Sequence, residues 1–588
     1  MLTAEQIAAL RDAFGSIADP INDFLIKDIA RRVAGAGQLT SSAAYQIYRA
    51  QQLGLSEREI RDMLKKELKV GNARLKELLT QSAEVGYNFD VKWSPKATPF
   101  EKNTSLQQIV KAAVELAKED FANITQTLGM VGPDGVAYPL QDTYCKCMDY
   151  AFEQVFTGAT DYNTAIRRAT KNLADQGVRV IDYESGIHTG LDAAVRRNIM
   201  GGLGLMQEQI SQKNHDELGA DGWEISAHAA SAPDHEPIQG KQYADAEYQA
   251  LNNSLQRRIG TLNCGHAAFP IILGVQKPQY TPEQLRQLRE DNEAGIIYQG
   301  RHYTMYEATQ MQRKVERSIR REKNRVLVAE ATGDKERLTT SQIRLRRLND
   351  EYGRFSMAAG LPSQRERAQV TGFGRGQAAR AEVTYRRQKS IVDSFTESMG
   401  QSGITVRGFE EYTGDAKTLG EMQFAFSKLS KEFPDEAKGL TVVLGYSPGK
   451  DDYGWFDSKT KAIHYNREML KNWTRLEQDY AELVKVGHFP AGTDARGCFY
   501  HEFGHVVWNA RSGQSARKPI DSVLQRLGYG YQNKAQRELA LARELSGYAI
   551  TDTTPAYQEV IAEAFSEWYT SDKPRRFCDE LLREVGIK

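Results

Sequence analysis

The sequence predicts a multidomain chain, mainly α-helical in its N-terminal and central regions, with a small α+β module and then a C-terminal α+β domain. Three observations predict this. The chain has 588 residues, more than one hydrophobic core organises, so three or more folded units are expected. Apolar residues recur at helical spacing through most of the first two thirds. Beyond about residue 390 strand-like runs come first and strong helices follow, the order of an α+β domain.

Helical periodicity begins in AEQIAALRDAFGSIADPINDFLIKDIARRVA and SEREIRDMLKKELKV, giving a first helical region over residues 1–90. Asn88 to Pro99 carries two prolines and no helical pattern, and reads as a linker. A second helical region spans 100–218, from SLQQIVKAAVELAKEDFANI through TAIRRATKNLADQGVRVI to LDAAVRRNIMGGLGLMQEQISQ. Residues 219–278 are richer in His, Pro, Gly and Asn, as expected of a compact module of strands and loops. Charged helices return over 279–390. Their Arg and Lys stand beside Glu and Asp, which fits a solvated helical pair better than a nucleic-acid contact. The glycines of TGFGRGQ follow no strand, so they read as a turn and not as a phosphate cradle. The last domain is expected over 391–588, with the region around 355–390 as a hinge. There LTVVLGY reads as a strand and YGWFDSKTKAIHYN as a hairpin turning at Asp457-Ser458-Lys459.

Composition narrows the function classes. The 77 basic and 77 acidic residues cancel, so no global field draws the chain to nucleic acid or an anionic membrane. No apolar run approaches the length of a membrane-spanning helix, and the first residues lack a signal-peptide pattern. The five cysteines (Cys145, Cys147, Cys264, Cys498 and Cys578) form no disulfide framework. Cys145 and Cys147 are too close for a tetrahedral pair and read as ordinary. A soluble protein synthesised in a cytoplasm is expected.

The sharpest chemical signal is HEFGH. His501 and His505 are four apart, so on a helix both imidazoles reach one ion. Glu502 lies beside that face, where it can take a proton from an activated water and pass it to a leaving amine. A catalytic zinc lowers the pKa of its water from 15.7 toward about 7 and needs a third protein ligand. No third histidine lies nearby. Glu559, Glu563 and Glu567 of YQEVIAEAFSEW share one helical face instead. Glu559 is expected as the ligand and Glu563 as the hydrogen-bond partner of a ligand imidazole. The plain alternative for each is a solvated surface acid.

The pair HEFGH and YAITDTTPAYQEVIAEAF resembles the catalytic domain of anthrax-lethal-factor-like zincins, over roughly residues 395–588. The resemblance implies a zincin-like fold, a zinc endopeptidase of the glutamate-ligand type, and His501, His505 and Glu559 as zinc ligands with Glu502 as base. It also implies Tyr548 as the hydroxyl that stabilises the oxyanion. The gap from Tyr548 to Glu559 is longer than the family pattern, which keeps Tyr557 as a rival. Zincins pair extended substrate with an edge strand, for which KTKAIHYN is the natural candidate. Its His464 is expected to pack or to face substrate.

Residues 1 to about 310 resemble the phage minor capsid protein 2 family, related to Mu-type head morphogenesis proteins. WEISAHAASAPDHEPIQGKQY and LNCGHAAFP carry the resemblance, and the helical lead-in through GIHTGLDAAVRRNIMGGL fits it. It implies a virion protein, at the portal vertex or in the head interior, with portal or other capsid proteins as partners and packaged DNA nearby. Within these motifs His228, His235, Cys264 and His266 form either a structural metal site or a hydrogen-bonded polar cluster. Together the two resemblances predict a minor capsid protein carrying a Zn2+ peptidase that acts on a peptide or protein substrate. The alternatives are a protease effector delivered with the virion and a head protein with an inactive zincin scaffold.

Overall fold

The structure, a computed structural model, describes residues 15–91, 98–182, 185, 187–260, 264–446, 452–511, 515–530, 533–551 and 557–588. The chain forms two compact units, residues 1–382 and 383–588, and the division falls within the helix Arg375–Gln401.

The first unit is built mainly of helices. Helix Gly15–Gly37 buries Ile21, Leu25, Ile29 and Val33, a spacing of four that lines one face. That face meets Leu75 and Leu79 of helix Ser42–Val91 and Tyr144 and Met148 of helix Leu140–Phe156 in one core. Helix Ser42–Val91 runs into the expected linker as far as Val91, and positions 92–97 of that linker lie outside the described residues. Asp28 is buried in this core with Arg32. Its two oxygens accept from Arg32 Nε (2.8 Å) and Nη2 (3.0 Å), and Tyr144 donates to Oδ2 (2.7 Å).

The region expected to be helical also holds a sheet. Strands β1 (Leu128–Val131), β2 (Ala137–Pro139), β3 (Arg179–Ile181) and β4 (His188–Gly190) pair antiparallel in the order β2-β1-β3-β4. The sequence predicts helix through ADQGVRVI, but the helix stops at Gln176. Gly177 adopts φ +63°, a left-handed conformation that glycine alone takes freely, and the chain turns there into β3.

The 219–278 module follows, with β5 (Gly222–Ile225) between β6 (Gln242–Ala244) and β7 (Ala268–Ile271), all antiparallel. A short hairpin, β8 (Ile296–Tyr298) with β9 (Arg301–Tyr303), then leads into two long charged helices, Met305–Thr332 and Lys335–Ala358. These pack against each other as a pair, buried along Val315, Ile319, Leu345 and Tyr352. Gly372 stands in a turn at φ +81° before helix Arg375–Gln401. The stretch expected as a hinge thus contains a helix end, a short 3-10 turn over Arg365–Ala368 and a helix start. Among the described residues no helix is long and apolar enough to cross a membrane.

The second unit is α+β. Its mixed sheet joins β10 (Thr405–Arg407), β11 (Thr441–Gly445), β12 (Gly454–Asp457) and β13 (Ala462–Asn466) in the order β10-β11-β13-β12. The β10–β11 and β11–β13 pairs are parallel, and β12 returns antiparallel to β13 through the expected turn at Asp457. This corrects one expectation: the strand in KTKAIHYN is internal to the sheet, whose edges are β10 and, on the hairpin side, β12. Strand order follows tertiary pairing, which alternation in sequence does not encode. Ile463 and Tyr465 of β13 enter the core with Phe426, Phe499 and Phe503. His464 points the other way and stacks under Trp455 at 4.8 Å, so it packs against its hairpin partner.

Candidate functional site

HEFGH lies on the helix Gly497–Arg511, and the glutamates lie on Gln558–Thr570. The two helices cross in close contact, and glycine makes that possible. A Cβ on Gly504 would stand 3.1 Å from Ala562 Cα and from Phe565 Cβ. One turn pair earlier, a Cβ on Gly497 would overlap Tyr480 and meet Ser566 Oγ at 2.8 Å. Gly504→Val should therefore overpack this crossing and cost about 1–3 kcal/mol, read as a lowered unfolding midpoint in urea.

At the crossing His501 Nε2 and His505 Nε2 stand 3.3 Å apart. Glu559 approaches both, Oε2 at 3.1 Å from His501 Nε2 and Oε1 at 3.4 Å from His505 Nε2. The Oε2 contact lies outside hydrogen-bond geometry, and this buried oxygen has no hydrogen-bond partner among the described residues. Three electron-pair donors thus face one point. Zinc bonds of 2.0–2.2 Å in a tetrahedron would set such donors about 3.3–3.5 Å apart, so the residues present fit zinc.

The other ring nitrogen supports the same assignment. His501 Nδ1 stands 2.8 Å from Glu563 Oε1, and Ser546 donates to Glu563 Oε2 at 2.7 Å. Glu563 is almost fully buried, and its orientation is set from both sides. With Nδ1–H donated to the carboxyl, Nε2 presents its lone pair to the crossing. Burial alone would lower the His501 pKa, but the Glu563 carboxyl on Nδ1 and the facing Glu559 carboxylate raise it well above the usual range. Burial works to raise the Glu559 pKa, and His501 and His505 overcome it to hold the carboxyl far below the usual range.

Glu502 is buried beside the histidines, and its Oε2 has no hydrogen-bond partner among the described residues. Burial raises its pKa, with His501 and His505 opposing. The Tyr548 ring lies edge-on to His501 at 5.6 Å between centroids. Burial, then the charges of Glu559 and Glu502, raise its pKa, so the phenol keeps its proton. Tyr557 is held elsewhere: at φ +51° it starts the glutamate helix, and its hydroxyl accepts from Arg537 Nη1 at 3.4 Å. Glu567 is also turned away, its oxygens taking Arg575 Nη2 at 2.6 Å and Nε at 3.0 Å. Ser546 was not foreseen from sequence. A single serine seventeen residues before its partner carries no local signal.

The first unit holds the second group of candidates. His235, Cys264 and His266 come together, all buried, with one donor atom each within 4.8 Å of the others. Cys264 Sγ stands 3.2 Å from His235 Nδ1 and 3.6 Å from His266 Nδ1. His228 falls outside this group of donors, its ring tilted by 33° against that of His266 with centroids 4.3 Å apart. Burial, with His228 and His235 alongside, lowers the His266 pKa to about 3.

The family model described as Phage minor capsid protein 2 matches residues 2–355, well over half of the chain. The chain belongs to the phage minor capsid protein 2 family. No curated protein and no solved structure matches it. The family match covers the buried Asp28 network, the sheet of β1 to β4 and the His235–Cys264–His266 group. It also spans the first charged helix and most of the second, beyond the residue 310 to which the sequence resemblance extends. Membership gives a minor capsid function, and points to the virion as location and to other phage structural proteins as partners.

Proposed function

We propose that this phage minor capsid protein carries a zinc-dependent endopeptidase in residues 383–588, borne at the portal vertex or in the head interior near packaged DNA. The observation that supports the reading is the convergence of His501, His505 and Glu559 at one point, with the far side of His501 fixed by Glu563.

Zinc held by His501, His505 and Glu559 would supply Lewis acidity to an attacking water and to the scissile carbonyl. Glu502 takes the proton from that water and later returns it to the departing amine, a role suited to a buried carboxylate with an uncommitted oxygen. Tyr548 keeps its phenolic proton and donates to the oxyanion as it develops. Glu563 and Ser546 hold the His501 ring so that its lone pair, not its N–H, faces the centre. The open edge of β12, packed against the HEFGH helix, offers main-chain groups to an extended peptide.

Zinc content of the full chain, measured beside Glu559→Ala, tests the reading together with hydrolysis of a quenched peptide library. The variant is expected to hold about one zinc fewer per chain and to lose hydrolysis. Equal zinc in both proteins would place the third ligand elsewhere. A zinc-loaded wild type that cleaves no peptide would reduce the unit to a scaffold.

A further inference from the structure

The family-matched unit contains a separate donor set at His235, Cys264 and His266, whose hydrogen bonds fix its chemistry. His235 Nε2 stands 2.8 Å from the carbonyl oxygen of Arg257, which only accepts, so Nε2 carries the proton. The backbone N–H of His228 donates to Gln239 Oε1 at 3.1 Å, which fixes which end of that amide is oxygen. The same oxygen lies 3.1 Å from His266 Nε2, so that nitrogen also carries the proton. Both rings are thereby left with an unprotonated Nδ1 whose lone pair faces the Cys264 sulfur.

A thiol has one proton to offer two such nitrogens. A cation satisfies both lone pairs and the sulfur at once. Bond lengths of about 2.0–2.1 Å to nitrogen and 2.3 Å to sulfur give a tetrahedral N···S edge of about 3.5 Å, and the two edges here are 3.2 and 3.6 Å. The sulfur also accepts the His266 backbone N–H at 3.4 Å, a contact that stabilises a thiolate. Access exists as well. A cavity of about 310 Å³, lined by Trp223, Tyr248, Arg258, Cys264 and His266 among others, reaches two of the three donors.

We propose that His235 Nδ1, Cys264 Sγ and His266 Nδ1 bind a divalent cation of the zinc class, which ties the loop before β7 to the loop between β5 and β6. The site is distinct from the HEFGH centre, which has no sulfur donor, and that difference makes it separately testable. Metal-stripped full-length protein is titrated with cobalt(II), with folding followed by circular dichroism. Thiolate-to-cobalt charge-transfer absorption is expected in the wild type, undiminished in a His501→Ala/His505→Ala double variant and lost in Cys264→Ser. Gln239→Ala, which frees the His266 ring, should weaken cobalt binding at this site about 10–100-fold. Folded wild type that shows no charge-transfer absorption at saturating cobalt would overturn the proposal, leaving a hydrogen-bonded polar cluster. So would the same absorption in Cys264→Ser.

Discussion

Glu502→Gln should leave the zinc content of the chain unchanged and slow peptide hydrolysis about 10²–10⁴-fold. The substitution preserves size, and Glu502 is not among the three convergent donors, so the ion has no reason to leave. What disappears is a proton acceptor: an amide oxygen does not hold the water's proton for transfer to the amine. The buried Oε2, without a hydrogen-bond partner among the described residues, is the atom concerned. Metal analysis and initial rates on one preparation measure both effects. Loss of zinc together with rate would recast Glu502 as a ligand, and a near-wild-type rate would move the base to another residue.

The second large effect is on stability. Asp28→Ala should destabilise the first unit by about 3–5 kcal/mol, the usual cost of stranding one member of a buried ion pair. Arg32 loses the partner of its Nε and one Nη2 contact, and the Tyr144 hydroxyl loses its acceptor inside an apolar core. Glu59, 2.6 Å from Arg32 Nη2, is too exposed to replace a buried carboxylate. Chemical denaturation of the two proteins measures the difference. A change under about 1 kcal/mol would mean that the core opens to hydrate Arg32.

The helices were legible because their signals are local. Spacing of four in Ile21, Leu25, Ile29 and Val33, or in His501 and His505, is written in consecutive residues. The proximity of Glu559 and Glu563 to the histidines was legible only as a shared helical face, since the meeting itself depends on a helix crossing. The reason for that crossing was in view but unread: Gly504, inside the motif, and Gly497 are where the two backbones come closest. The strands β1 to β4 are hard to read because three or four residues are too few to show alternation; their punctuation is the Gly132-Pro133-Asp134-Gly135 turn between β1 and β2, with Gly135 at φ +86°, and Gly177 before β3. Of the four candidates in the capsid-family module, spacing could not tell that His228 only packs its ring against His266 while the other three converge.

The position of β12 at the rim of its sheet has a consequence for what a peptide docked there would experience. Among the described residues the strand offers four, Gly454 to Asp457, and alternate groups of a strand point outward, so about two residues supply pairing to a newcomer. Such a short footprint grips main chain without measuring length. Side chains of the newcomer would follow the same two-residue rhythm, one set on the Phe456 side toward the packed interior and the other on the Trp455 side. On the proposed reading, discrimination between peptides would then fall to one or two side chains beside the strand and not to a long sequence.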